Sequence, residues 1–396
     1  MVAAVIVALA LIVSVGVIVI PQLGQHPATQ VTPTPTAPVT TVTPSGSDTT
    51  PSPTPGVVPG PQNGPPGVSD TAYWDQILGT QGTNGKVERV SFANVLGTPT
   101  LQALVTVRHS NANGTLDVYV FDKITNAKPT QLFKMQGLVK GDAKISGYNS
   151  VMTAEVDQNS PLNAGKSSAQ WTQDLFREFA WNAGEGTLTQ VAFPGIFPDL
   201  TRYQAEMDQN NVKAGQDSWK NNAVQVAQRM AAQFLKWSLN AQASVVSGGG
   251  AQDVDAVVQV KSPTPGGLSI TVTLSRLEGN TSNMWVVIGV TSGNGLLTIN
   301  TPVKGDRLTS PSTITGTGSA FEGVVGQAFV LDHLYTTIGQ AQVTGASNGK
   351  TTYSTTIPYT SSFQGGTQEG IVVVYMYSQA DGSIATAAMQ KVMLSA

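Results

Sequence analysis

The sequence predicts a mainly β protein with an α+β middle region, preceded by a transmembrane helix and a disordered linker. Short runs of β-branched and aromatic residues, separated by Gly, Asn and Pro, recur from about residue 86 to the C-terminus. Between residues 199 and 239 the apolar spacing changes to a helical period. Met1 to Ser47 contains no Asp, Glu, Lys or Arg. These observations divide the chain into segments 1–20, 21–69, 70–198, 199–292 and 296–396.

The first segment is the apolar run from Val2 to Ile20. As a helix it is roughly 28 Å long, close to the ~30 Å hydrocarbon thickness of a bilayer. No basic residue precedes it, and Val19, Ile20 and Pro21 make a poor cleavage site. A retained single-pass anchor is therefore favoured over a cleaved signal peptide. We expect the C-terminal bulk of the chain to lie outside the cytoplasm.

A Pro/Thr-rich tract follows the apolar run. Of the 23 prolines, 13 fall between Pro21 and Pro66, interleaved with Thr, Ser, Gly and Val. Such a tract neither forms a strand ladder nor buries a core, so it predicts a disordered linker. It is typical of a spacer that holds folded domains away from a membrane.

Segment 70–198 reads as successive strands after a short helix from Thr71 to Leu78. The Asn113-Gly114 pair between two β-rich runs indicates a hairpin. Further strands are expected at residues 86–94, 131–138, 150–158, 174–182 and 187–193, which together form an antiparallel meander. The segment thus predicts an antiparallel β-rich domain.

Segment 199–292 predicts helices followed by an antiparallel sheet, and it is open whether this segment continues the preceding domain. Asp199 is the expected N-cap of a helix reaching Gln209, and Asp217 or Ser218 caps a longer one reaching Leu239. Along the second helix Trp219 and Trp237 are eighteen residues apart and share one face. An aromatic ligand groove is possible there, but a core face packed on a sheet is favoured. Strands are expected at residues 254–260, 268–277 and 284–290.

The last hundred residues contain about seven short strands, the layout of a β-sandwich. The strand from Ile371 to Tyr377 is apolar on both faces, as expected of a central strand. The short motifs in this region are Thr301-Pro302, Ser310-Pro311, Ile314-Thr315-Gly316, Phe321-Glu322, Ile357-Pro358-Tyr359 and Asp381-Gly382-Ser383. In these motifs segment 296–396 resembles the immunoglobulin-like domain of bacterial spore germination proteins (Gmad type). The resemblance implies an extracytoplasmic binding or scaffolding domain without catalytic residues, in which Phe321 is buried and Glu322 satisfies a backbone amide.

Composition and motifs exclude several function classes. The 21 basic and 24 acidic residues form no basic cluster, which argues against nucleic-acid binding. The three histidines lack metal-ligand spacing, no nucleophile motif accompanies them, and the chain has no cysteine. The sequence therefore predicts no cofactor, no metal site and no catalytic constellation.

We therefore expect a membrane-anchored bacterial envelope protein whose partner is a cell-wall polymer or an envelope protein, with a link to sporulation or germination. The alternative is a cell-wall glycan hydrolase. Because glycoside hydrolysis needs only two carboxylates, Glu155 and Glu178 are its candidate residues. The favoured interpretation is that both are scattered surface carboxylates of the β domain.

Overall fold

The first half of the described chain contains a short helix and two antiparallel meanders. The computed structural model describes residues 56–264, 268–346 and 348–396. Helix α1 (Thr71–Leu78) begins at Asp70, whose carboxylate accepts the Ala72 N–H, and ends at Gly79 with φ of 64°. The first sheet has the order β1 (Gly85–Ala93), β2 (Gln102–His109), β3 (Leu116–Asp122) and β4 (Thr130–Leu138). The second has the order β5 (Asp142–Ile145), β6 (Val151–Glu155), β7 (Leu175–Asn182) and β8 (Thr187–Val191).

These two sheets pack face to face. Leu104, Leu116 and Val118 of the first sheet share a core with Val151 and Phe179 of the second. The other face of the first sheet packs against the fully buried side chain of Trp74 in α1. The predicted helix at 71–78 and the hairpin at Asn113-Gly114 are confirmed. The predicted single meander is instead two separate four-stranded antiparallel sheets, and the four-residue strand β5 was not predicted.

The two helices of the middle region begin later than predicted. Helix α2 (Arg202–Lys213) is capped by Thr201 and not by Asp199, because Thr201 Oγ1 accepts the Gln204 N–H at 3.3 Å while the Asp199 carboxyl contacts Asp208. After a single 3-10 turn at Ser218–Asn221, helix α3 (Ala223–Leu235) begins anew.

The predicted continuous helix to Leu239 is therefore wrong. Asn222 has an extended backbone, and its side chain accepts the Gln225 N–H at 3.1 Å, so it interrupts the helical path and starts α3. Trp219 precedes α3 and Trp237 follows it, so the two rings do not share a helix face. Both nevertheless pack against the same hydrophobic core, as the favoured interpretation expected.

Four strands follow α3 and join a larger sheet. They are β9 (Ala243–Gly248), β10 (Asp255–Lys261), β11 (Ser269–Arg276) and β12 (Trp285–Ser292). Strand β9 was not predicted; it is short and almost wholly exposed along one sheet edge, Val245 and Val246 included. The predicted strands at 254–260, 268–277 and 284–290 are confirmed within two residues at each end.

The C-terminal region is a two-sheet β-sandwich. Its strands are β13 (Thr298–Thr301), β14 (Arg307–Leu308), β15 (Ser312–Ala320), β16 (Val324–Leu331), β17 (Thr337–Thr344), β18 (Gly349–Ile357), β19 (Thr367–Tyr377) and β20 (Ile384–Ser395). One sheet has the order β13-β15-β18, and the other continues into the middle region as β17-β16-β19-β20-β12-β11-β10-β9, with β14 paired to β20. The sandwich therefore shares a nine-stranded sheet with the preceding segment.

Strand β19 is central and buried on both faces, as predicted. Because side chains alternate along a strand, Val372 and Val374 enter the core of the sandwich, while Ile371 and Val373 enter a second core covered by α3. The described residues from 56 onward belong to one compact unit.

The N-terminal part of the chain carries the predicted anchor and most of the predicted linker. The transmembrane helix at 1–20 and residues 21–55 of the predicted linker lie outside the described residues. Residues 56–69 of that linker pack on the first sheet, where Val68 is buried and Gln62 pairs with Phe92. In the part of the chain that is described, no helix has the length and apolar character needed to cross a membrane. The predicted segment boundaries remain predictions.

Candidate functional site

Glu155 lies at the end of β6 and forms an ion pair with Arg177 of β7. The Arg177 guanidinium also donates from Nε to the carbonyl oxygen of Thr367 in β19, at 3.4 Å. Both side chains of the ion pair are largely buried, at 17% and 8% exposed. Glu155 therefore helps to connect the second meander to the sandwich.

Glu178 is adjacent to Arg177 in β7 and so lies on the opposite face of the sheet. Its Oε1 accepts hydrogen bonds from Ser150 Oγ and from Arg202 Nε, the latter at 2.8 Å. The structure therefore places the two candidate carboxylates on different faces, each with its own arginine, and does not bring them together as a pair. The expectation that both are surface carboxylates is wrong, because each is largely buried in an ion pair.

A second buried ion pair lies close to Glu178. Lys391 Nζ in β20 is 2.6 Å from Glu369 Oε2 in β19, and both side chains are only 1% exposed. Lys391 also donates to the carbonyl oxygens of Gly195 and Leu200, which precede α2. Burial raises the pKa of Glu369 to about 7, against the opposing attraction of Lys391.

We name Glu178, Arg202, Glu369 and Lys391 the charged junction. The Phe193 ring connects its two halves, with the Arg202 guanidinium 5.0 Å and the Lys391 ammonium 6.0 Å from the ring centroid. This cluster was not predictable from the sequence, because its members come from four separate elements, β7, α2, β19 and β20. Its burial suits a structural connection between segments rather than contact with a ligand.

The fold also brings together two carboxyl pairs that are not predictable from the sequence. Glu206 of α2 contacts Glu278, and Glu206 Oε1 accepts the Gly147 N–H at 2.9 Å. Burial, together with the neighbouring Glu278, raises the pKa of Glu206 to about 8. Asp199 contacts Asp208, and burial raises the pKa of Asp199 to about 8. Each pair has a nearby lysine, Lys144 for the first and Lys220 for the second. Within the described ranges, no group of three or more His, Asp or Glu side chains is arranged to hold a metal ion.

An open groove lies at one end of the sandwich, on the outer face of the nine-stranded sheet. It has a volume of about 330 Å³ and is lined by Val324, Gly326, Gln327, Gln342 and Tyr377. We name it the sandwich groove. Gln327 and Gln342 are direct partners across β16 and β17, and Tyr375 stands opposite Gln327 on β19. The groove is thus built on three adjacent strands.

The chemistry of the sandwich groove is uncharged. The Tyr377 hydroxyl donates to Gln327 Oε1 at 3.3 Å. Burial raises the pKa of both Tyr375 and Tyr377, so both hydroxyls stay protonated at neutral pH. A side chain at Gly326 would bring its Cβ to 1.9 Å from the Tyr375 carbonyl oxygen, so glycine is needed where β16 approaches β19. Beside the groove, the Phe329 and Tyr375 ring centroids are 5.4 Å apart.

The turns that flank the sandwich groove carry carboxylates. Phe321 and Glu322 form the turn between β15 and β16, and Asp381 lies in the turn between β19 and β20. The expectation of a buried Phe321 is wrong, because its ring is 49% exposed at the tip of this turn. Glu322 has a φ of 50°, and its own N–H donates to Asn348 Oδ1.

The groove residues could have been found from alternation. Along β16 the order Gln327, Ala328, Phe329, Val330 places Gln327 and Phe329 on one face and two apolar core residues on the other. The same period in β17 turns Gln340 and Gln342 outward. What the sequence did not provide is the pairing of strands that brings these residues together.

The comparison with protein families agrees with the sandwich fold. Residues 296–383 match the Gmad2 family, described as an immunoglobulin-like domain of bacterial spore germination. The resemblance predicted from the sequence motifs is thereby confirmed for the C-terminal region. No curated protein matches the chain.

Proposed function

We propose that this chain is an extracytoplasmic envelope protein, anchored in the cell membrane by its N-terminal helix, that acts as a binding or scaffolding module in sporulation or germination. The observation that carries the proposal is the immunoglobulin-like domain with one outer face left open at the sandwich groove. The link to sporulation rests on the family description of residues 296–383.

The location is supported by the sequence alone. An uncharged apolar run followed by a Pro/Thr-rich tract is the arrangement of an anchor and a spacer. Such a spacer would allow the folded unit from residue 51 onward to reach material distant from the membrane.

A scaffolding role is supported by the rigidity of the attachment. The sandwich shares a sheet with the middle region and is further connected through the Lys391–Glu369 ion pair and the Arg177–Thr367 hydrogen bond. A sandwich fixed in this way presents its groove at a constant orientation to the rest of the folded unit. The expected partner is a cell-wall polymer or an envelope protein.

The test is retention of the purified full chain by isolated cell walls, with simultaneous assay of the supernatant for released sugars. We expect the folded chain to be retained, the heat-unfolded chain not to be retained, and no fragments to be released. Release of glycan fragments would favour a hydrolase instead. Absence of retention by walls, together with capture of a membrane or coat protein by the full chain, would keep the scaffolding role and assign it a protein partner.

A further inference from the structure

We propose that the sandwich groove binds a neutral glycan chain. This inference rests on the proposed function, since it names the ligand class of the groove on which that function depends. It follows from the functional groups that the groove offers, from the charges at its rim and from its open shape.

The lining of the groove matches the two kinds of surface on a sugar ring. A glutamine side chain offers both an amide donor and a carbonyl acceptor, which is the pairing that hydroxyl and acetamido groups require. Gln327 and Gln342 present these groups side by side across two strands. Tyr377 adds an aromatic ring with a protonated hydroxyl, and such a side chain contacts an apolar C–H face while its edge hydrogen-bonds.

The charges argue against an anionic ligand. All five lining residues are uncharged. The flanking turns carry Glu322 and Asp381, and hydrogen bonds from Ser383 and Ser378 lower the pKa of Asp381, so that it is ionised at neutral pH. A phosphate-rich or carboxylate-rich polymer would meet like charge at the rim and no basic side chain in the groove, which disfavours its binding.

The shape suits a polymer more than an isolated small molecule. The floor at Gly326 is bare backbone, and the groove opens at the end of the sheet instead of closing over its contents. A volume of about 330 Å³ lies at the lower end of ligand sites in proteins. We therefore expect one or two sugar rings to occupy the groove while the chain continues beyond it.

The experiment uses the full chain in a sugar-free polyoxyethylene detergent and measures binding of the N-acetylglucosamine tetramer and of cellotetraose by saturation-transfer NMR. We expect at least one of these neutral oligosaccharides to bind, with an affinity that does not change with salt. Tyr377→Ala should weaken the affinity roughly ten-fold by removing the ring. Tyr377→Phe keeps the ring and should lose less than Tyr377→Ala.

The double variant Gln327→Ala/Gln342→Ala should weaken binding by a similar factor. The matched control is Gln131→Ala, an exposed glutamine at the start of β4 in the first meander, which should bind as the unchanged chain does. Thermal unfolding midpoints of all variants show whether each one is folded. If Tyr377→Ala is unfolded, Tyr377→Phe is the variant that is compared with the unchanged chain.

Two outcomes would overturn the inference: no binding of either oligosaccharide, or binding that Tyr377→Ala and the double variant leave unchanged. Retention by cell walls without binding of either oligosaccharide would contradict the glycan proposal and leave the proposed function unaffected. Loss of both, together with failure of the full chain to capture a membrane or coat protein, would remove the proposed function as well.

Discussion

Lys391 and Glu369 form a 2.6 Å ion pair in the interior, with both side chains only 1% exposed. They lie on neighbouring strands of the sandwich, yet Lys391 also donates to carbonyl oxygens of the segment that leads into α2. Because buried charges are costly unless they are paired and hydrogen-bonded, this pair constrains how the sandwich and the middle region fit together.

We predict that Lys391→Met destabilises the folded unit from residue 51 onward by about 3–5 kcal/mol at pH 8, because it leaves Glu369 as an unpaired buried carboxylate. Below pH 6 the loss should be smaller, since Glu369, whose pKa is already raised to about 7, can then be protonated. Urea unfolding at both pH values measures the effect. The double variant Lys391→Met/Glu369→Leu should recover much of the loss.

The matched control for this prediction is a surface ion pair. Arg108 and Glu88 lie 2.9 Å apart with side chains 32% and 42% exposed. Glu88→Gln should change the free energy of unfolding by no more than about 1 kcal/mol. An equal effect of Glu88→Gln and Lys391→Met would show that burial of the charged junction has no special cost.

We predict that Glu178→Gln lowers stability without removing any hydrolytic activity. The substitution leaves the buried Arg202 guanidinium without its carboxylate, at a cost of about 3–5 kcal/mol. Incubation of each variant with purified cell walls and assay of released reducing sugars tests the catalytic alternative. Glu155→Gln is the natural comparison, because it removes the other candidate carboxylate from the opposite sheet face. The hydrolase would be supported if the unchanged chain released sugars and both variants, while still as stable as the unchanged chain, did not.

The features that were predictable from the sequence are local ones. Asp70 and Gly79 bound α1, and Asn113-Gly114 turns the β2–β3 hairpin, because in each case the determining residues are close along the chain. The charged junction was not predictable, because Lys391 donates hydrogen bonds to carbonyl oxygens more than 190 residues away in the chain. For the sandwich groove, the outward direction of Gln327 was predictable from alternation along β16. The position of Gln342 beside it was not, because it depends on the pairing of β16 with β17.

We predict that the folded unit loses stability as the pH rises from about 5 to 8. Glu206 and Asp199 both have folded-state pKa values raised to about 8. A raised pKa means that the folded state holds its proton more tightly than the unfolded chain does. The stability that each carboxyl contributes by holding its proton is therefore complete below the pKa of the unfolded chain, near 4. It is lost as the pH passes through 8. Each group contributes at most about 1.4 kcal/mol per pH unit.

Single variants separate this effect from other titrations. Glu206→Gln removes the proton-dependent contact with Glu278 while Lys144 stays in place, and Asp199→Asn does the same beside Asp208 and Lys220. Urea midpoints measured at intervals of pH should fall less steeply in each variant than in the unchanged protein. Parallel pH profiles would mean that these carboxyls titrate as exposed groups do.

We predict that residues 296–396 do not form a soluble domain on their own. Ile371, Val373 and Met389 point away from the sandwich core into a second core, which α3 covers and which strands β10 to β12 of the same sheet continue. Excising the sandwich would expose this face, together with the β20 edge that pairs with β12 through Val290 and Met389. The excised fragment should therefore bind a hydrophobic dye and aggregate, whereas residues 51–396 should not.

Changing Ile371 and Val373 to Thr should make the fragment soluble, because both residues then face water in a strand-compatible form. The same change at Val372 and Val374, which face the sandwich core, should unfold the fragment instead. A soluble, monomeric fragment without any substitution would mean that the sandwich does not depend on the middle region for its outer face.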